Sequence, residues 1–202
     1  MEVVRSFNPE HFNPQDRRIF AVIERIRGKG TGEHYSEKGI RNPVRDDTPP
    51  VLLSTAYLTN PRRMVELGTS YGFSALHLKA GAPNAKLDTV EFDPRVAKEA
   101  KANFKEAGVK EVTIFVGESG QFTRKRKNSI DLLFIDHNKE NYLPDFLALE
   151  PHLSNNAIVM ADNVSDRRSE SGNLVDYMRQ HYSDIKILNT QTGLLLARRN
   201  IV

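Results

Sequence analysis

From Arg63 onward the chain alternates between short apolar runs of strand length and longer helical patterns. RRMVEL reads as a strand and SALHLKAG as a helix closed by Gly81. AKLDTVEF is a strand. PRVAKEAKANFKEAG is a helix with Pro94 at its start and Gly108 at its end. EVTIFVG and SIDLLFID are strands with room for a helix between them. NYLPDFLALEPHL is a helix whose Pro144 falls near the first turn, NAIVMAD a strand, and SGNLVDYMRQHY a helix. DIKILNT and GLLLARR are two strands with a tight turn between them. Such alternation requires a mostly parallel sheet with helices on both faces. The last two strands are close enough to form a hairpin, so one of them runs antiparallel. The expected fold is α/β: Rossmann-like, with a seven-stranded, mostly parallel sheet and an antiparallel C-terminal hairpin strand.

The first sixty residues read differently. In PQDRRIFAVIERIRGKG, Ile19, Phe20, Ile23 and Ile26 recur at helical spacing, a stripe that fits either this chain's own sheet or a second subunit. TGEHYSEKGIRNPVRDDTPP is rich in glycine, proline and polar residues and reads as loop. TPPVLLSTAYLTN reads as a second helix, with Thr48 as its cap and Pro49 at its first position. A chain of 202 residues can bury a full core, and one domain is expected over 1–202, with 1–60 a helical cap segment and 61–202 the Rossmann-like core. No apolar run approaches membrane-spanning length and no leader pattern opens the chain, so no membrane partner is expected. Cysteine is absent, which removes disulfides and thiolate chemistry and agrees with an expected cytoplasmic location. The net charge of +3 is mildly basic. Its densest cluster, Arg124–Lys127, reads as a solvated helix end or loop rather than a nucleic-acid patch.

In open α/β sheets, ligands bind at the carboxyl ends of the strands. The first such end is VELGTSYGFSA. Gly68 and Gly72 bracket a turn whose backbone can come close to a ligand, ahead of the free N–H groups of a helix start. The G-x-x-x-G spacing differs from the dinucleotide fingerprint. Glu66, just before the turn, disfavours a pyrophosphate and favours a ligand bearing a positive amino group. Glu91, ending the next strand, can accept two ribose hydroxyls. Together these features suggest S-adenosylmethionine (SAM); a structural turn with two surface acids is the alternative.

Two later strands end alike, in Asp136-His137-Asn138-Lys139 and in Asp162-Asn163. If the strands are neighbours, their oxygens converge and suit a hard cation such as Mg²⁺, with positions left for a substrate bearing adjacent oxygens. A turn or helix cap explains the Asp-Asn pair equally well. Lys139 is a candidate general base for a substrate hydroxyl, or a solvated lysine at a helix start. His137 is a satisfied polar residue at a strand end, or lies against an adenine.

From Val65 to about Val164 these pieces, VELGTSYGFSA, TVEFDP, AGVKEVTIFVGES, IDLLFIDHNKENYLPD and MADNV, resemble catechol O-methyltransferase and its metal-dependent, class I SAM O-methyltransferase relatives. They come in family order and spacing over about half the chain. The resemblance implies a SAM-methyltransferase version of the fold, with Asp136, Asp162 and Asn163 as metal ligands and Lys139 as catalytic base. It implies a cofactor site made by Val44, Glu66, Gly68, Ser70, Gly72, Ser74, Glu91, Phe92, Gly117, Ser119, Asp136 and His137. The implied reaction is Mg²⁺-dependent methyl transfer from SAM to a hydroxyl of a small catechol-like acceptor, by a monomer or homodimer. Asn138 stands where catechol O-methyltransferase has a tryptophan, and the chain has no tryptophan at all. An RNA or protein methyltransferase is a second reading; amino-methylating nucleic-acid enzymes usually place an Asn-Pro-Pro-aromatic type motif after the fourth strand, where this chain has Asp-His-Asn-Lys, so a nucleic-acid partner is not expected. A non-catalytic SAM-binding module is the remaining alternative.

Overall fold

The structure is a computed structural model that describes residues 14–30, 47–165 and 168–200. Seven strands form one sheet in the order β3-β2-β1-β4-β5-β7-β6. They are β1 (Arg63–Leu67), β2 (Lys86–Glu91), β3 (Val112–Val116), β4 (Ile130–Ile135), β5 (Leu153–Ala161), β6 (Asp184–Leu188) and β7 (Leu194–Arg198). The first five pair in parallel. β7 is antiparallel to both its neighbours, β5 and β6. This is the expected Rossmann-like sheet with its antiparallel hairpin strand, and helices cover both faces, as parallel strands require.

Side-chain alternation sorts the strands into two apolar faces. Met64, Leu132, Phe134 and Met160 face a core shared with α1 (Pro14–Gly30), α2 (Thr48–Thr59), α3 (Phe73–Gly81) and α4 (Pro94–Ala107). Val65, Leu133, Ile135 and Val159 face α6 (Tyr142–Leu149) and α7 (Arg168–His181), while α5 (Ser119–Lys125) contributes Phe122 at the edge of that core. The apolar stripe of α1 packs on its own chain: Ile19, Val22, Ile23 and Ile26 are buried. Gly108 caps α4 in the left-handed conformation, as its position suggested.

Four local readings change. Thr48 does not cap α2. The N-cap is Asp47, without a side-chain cap bond, and Thr48 is buried with its hydroxyl 3.5 Å from Asp162 Oδ1. Gly81 does not close α3, which is capped by Ala82. Instead, a Cβ on Gly81 would stand 2.3 Å from the Leu53 carbonyl oxygen, so glycine is there to let α2 lie close against α3. β5 begins three residues before the expected run, at Leu153, and its pairing with β4 slips between Ile130 and Leu132. In the basic cluster, Arg126 is buried, paired with Asp88 of β2 and 5.7 Å above the Phe122 ring, while Arg124, Lys125 and Lys127 are exposed.

Candidate active site

The strand order reverses between β1 and β4, and the carboxyl ends there form the natural crevice of such a sheet. The turn leaving β1 has positive φ at Gly68, Ser70 and Gly72. Its glycines are demanded by close approach as well as by conformation. A Cβ on Gly68 would lie 2.2 Å from the Asp136 carbonyl oxygen, and one on Gly72 would strike the Phe104 ring at 2.4 Å. Gly68 and Thr69 both donate to the Val90 carbonyl, and Asp136 donates to that of Leu67 at 2.8 Å. The turn is thus sewn to β2 on one side and β4 on the other.

Glu66 is fully buried beneath this turn and accepts hydrogen bonds from Ser74 Oγ and Thr89 Oγ1, each at 2.5 Å. Burial pushes its pKa up to about 8, against the pull of those two hydroxyls. Glu91 braces the turn: Oε2 accepts from the Ser70 N–H at 2.8 Å, and Oε1 from the Asp93 N–H at 3.0 Å. Beyond it, Phe92 is 68% exposed. Val116, at the end of the paired strand β3, is also exposed, so two apolar side chains lie open at this edge. Gly117 follows with φ 146, donating to the Glu91 carbonyl at 2.9 Å.

At the β4 exit, His137 turns toward α6. Its Nε2 pairs with Asp145 Oδ2 at 2.8 Å, and its ring stacks on Tyr142 at 5.3 Å. Its Nδ1 is buried and meets no hydrogen-bond partner among the described residues, an orphan that a bound ligand could satisfy. Burial works to raise the pKa of Asp145, but hydrogen bonds from His137, Ser119 and Thr123 outweigh it and hold the carboxyl below its ordinary value. Ser119 and His137 therefore meet on one carboxylate.

The β4 and β5 exits are level, with Ile135 paired to Ala161. Lys139 Nζ donates to Asp136 Oδ1 at 2.7 Å and to the Tyr142 hydroxyl at 2.8 Å, and that hydroxyl donates to the Asp162 carbonyl at 3.1 Å. Asp162 is 1% exposed. Its Oδ1 accepts from Thr192 Oγ1 at 2.6 Å and the Asn163 N–H at 2.9 Å. Asn163 has φ 61. Among the described residues no group of three or more His, Cys, Asp and Glu is placed to hold a metal. The sequence-read set is instead two carboxylates and an amide, an all-oxygen set whose chemistry fits a hard divalent cation.

Every sequence-read site residue within the described range lies along this edge. Val44 lies outside the described residues. Thr192 and Asp145 were not singled out from the sequence, and Tyr142 entered there only as part of the family-like stretch IDLLFIDHNKENYLPD, with no role of its own. Tyr142 carried a signal, three residues after Lys139; Thr192 reaches Asp162 from 30 positions away and carried none.

The protein family described as "Methyltransferase domain" matches residues 65–164, the stretch from the Glu66 side of the turn to the Asp162 side of the cleft. The chain carries a methyltransferase domain. Catechol O-methyltransferase B of Danio rerio is 33% identical over 130 residues, covering 60% of this chain and 49% of that protein. Catechol O-methyltransferase of Mus musculus is 30% identical over 164 residues, covering 77% of this chain and 59% of that one. The chain thus spans about half the length of the curated relatives it matches. The O-methyltransferase of Bacillus cereus, solved in complex with SAH, superposes with a TM-score of 0.74 at 18% identity, covering 97% of this chain and 96% of that one. That likeness is one of fold, over 97% of the chain. No described helix of the methyltransferase domain is long and apolar enough to cross a membrane.

Proposed function

We propose that the protein transfers a methyl group from SAM to a hydroxyl of a small catechol-like acceptor, with Mg²⁺ or another hard divalent cation held by Asp136, Asp162 and Asn163. The observation that carries this reading is the lacing of the β4 and β5 exits through Asp136, Lys139, Tyr142 and Asp162, directly against the Gly68 turn. The names of the relatives support the same chemistry. SAM supplies an electrophilic methyl group on sulfur, and a divalent cation favours the acceptor's oxyanion.

The chain's own residues supply binding, orientation and a proton acceptor. Glu66, Ser74 and the turn would receive the amino-acid end of SAM, Glu91 the ribose, and Phe92, Ser119 and His137 the adenine end. Tyr142 gives its single proton to the Asp162 carbonyl, so its oxygen can only accept from Lys139. An ammonium has three N–H donors, and two of them are fixed by Asp136 and Tyr142. The neutral amine keeps two N–H groups for the same acceptors, and its lone pair takes the third direction. Lys139 is held to take the acceptor's hydroxyl proton along that line. At 8% exposure it works away from bulk water. Positioning and electrostatics would provide most of the rate enhancement. α1 and α2 would belong to the cap segment of the same domain.

The test is SAM consumption with 3,4-dihydroxybenzoate and caffeate, in Mg²⁺ and in EDTA. Turnover that EDTA abolishes and Mg²⁺ restores is expected. Equal turnover in EDTA would remove the cation from the reaction. SAM binding without turnover on any diol would turn the reading toward a binding module.

A further inference from the structure

The cofactor turn is clamped on its outer side by α4, and α4 is gripped by α1. Asn103 of α4 is buried, and its amide is used at both ends. Nδ2 donates to the Tyr71 carbonyl, inside the turn, at 2.8 Å. Oδ1 accepts from Arg25 Nη2 of α1, also at 2.8 Å. The Arg25 guanidinium is itself fixed by a two-pronged pair with Glu106, Nη2 to Oε2 at 2.8 Å and Nε to Oε1 at 3.2 Å. Such a fork leaves the arginine one orientation. A second route runs to the start of the helix that follows the turn, where the Arg27 guanidinium of α1 lies 5.8 Å above the ring of Phe73, the first residue of α3.

Neither arginine touches the site, yet the two lines of contact fall on either side of Gly72, at the helix end of the turn. The turn holds three consecutive alternate residues at positive φ. The two glycines take such angles freely, but Ser70, a non-glycine at φ 47, keeps its conformation only where its surroundings over-determine it.

We propose that α1 is a working part of the cofactor turn: Arg25 orients Asn103, Asn103 holds the Tyr71 carbonyl, and the turn keeps its ligand-binding shape only while α1 is docked. Arg25 and Asn103 are positioning residues for a site they do not enter. The proposal rests on the SAM-binding reading for its meaning, but the mechanical link does not.

Two measurements on the full chain separate the two claims. The first needs no ligand: amide hydrogen exchange at Gly72, whose N–H donates to the Thr69 carbonyl at 2.8 Å. Asn103→Asp keeps the Arg25 contact but removes the donor to Tyr71. Arg25→Ala, at a partly exposed side chain that can be lost without unfolding, removes the other link. Both should speed Gly72 exchange about tenfold, the effect of one buried hydrogen bond. Arg18→Ala is the control: it also loses an α1–α4 contact, to the Glu106 carbonyl, but none that leads to the turn. It should leave Gly72 unchanged. The second measurement is the Kd for SAH by calorimetry. Arg25→Ala and Asn103→Asp should each weaken binding several-fold, to about tenfold, and the double variant should be no worse than Asn103→Asp alone, because one relay can be cut only once. Equal effects from Arg18→Ala and Arg25→Ala, or unchanged Gly72 exchange in both relay variants, would overturn the proposal. Faster Gly72 exchange in a chain that never binds SAH would uphold the relay and sink the SAM reading alone.

Discussion

Tyr142 shows how much a single hydroxyl can organise. It accepts from Lys139 and donates to the backbone at the β5 exit. Tyr142→Phe should leave SAM affinity within about twofold, lower kcat by roughly 10- to 100-fold, and cost about 1 kcal/mol of stability. A kcat equal to wild type would show that Lys139 needs no such guide. Glu66 offers a different test. With a pKa of about 8 it carries a proton at neutral pH. A ligand's ammonium group would draw it into the charged form, so SAM binding at pH 7 should release a proton. Calorimetry in buffers of different ionisation enthalpy measures that release, and Glu66→Gln should abolish it while weakening binding. Glu66 and Gly68 were legible in the sequence because an acid ahead of a glycine turn is a local pattern. The protonation of Glu66 was not, since it follows from complete burial by the surrounding elements, which outweighs the opposing hydrogen bonds from Ser74 and Thr89.

The elements themselves were legible because apolar period and breaker residues agree along most of the chain. Where the reading missed, a tertiary contact had overruled a local signal. Thr48 looks like a cap, but its hydroxyl faces Asp162 instead. Gly81 looks like a helix stop, but it marks the place where two helices touch. Adding even a methyl group there forces α2 off α3. Gly81→Ala should therefore destabilise the chain by about 1–3 kcal/mol, although alanine is the better helix former. Thermal unfolding would show a loss of several degrees; an unchanged or raised Tm would mean that α2 can shift without cost. The early start of β5 was hidden for a related reason. Ser154 and Asn155, which follow Leu153, have no strand pattern of their own, and the pairing with β4 slips where they lie.

For the molecule as a whole, two buried groups set opposing pH dependences. Glu66 is protonated up to about pH 8 in the folded chain but has an ordinary value of 4.5, so stability falls as pH rises through that window. His77 is pushed down to about 4 by burial, so the unfolded chain takes a proton that the folded one refuses, and stability falls as pH drops from 6.5 toward 4. Above pH 6.5 the His77 contribution is complete and that of Glu66 is still changing. Wild type should lose up to about 2 kcal/mol between pH 6.5 and 8, and Glu66→Gln should flatten that loss. Chemical denaturation at both pH values checks it; parallel slopes for the two proteins would assign the loss elsewhere. The sheet order as a whole was not derivable from local pattern, because which strands become neighbours is decided by crossovers. That order has a further consequence. β7 is the last of these seven strands in chain order, yet it lies inside the sheet, between β5 and β6. A nascent chain still tethered at the ribosome must wait with the edge of β5 open, and with Asp162 lacking the Thr192 hydroxyl, until the final hairpin has emerged and slid into place.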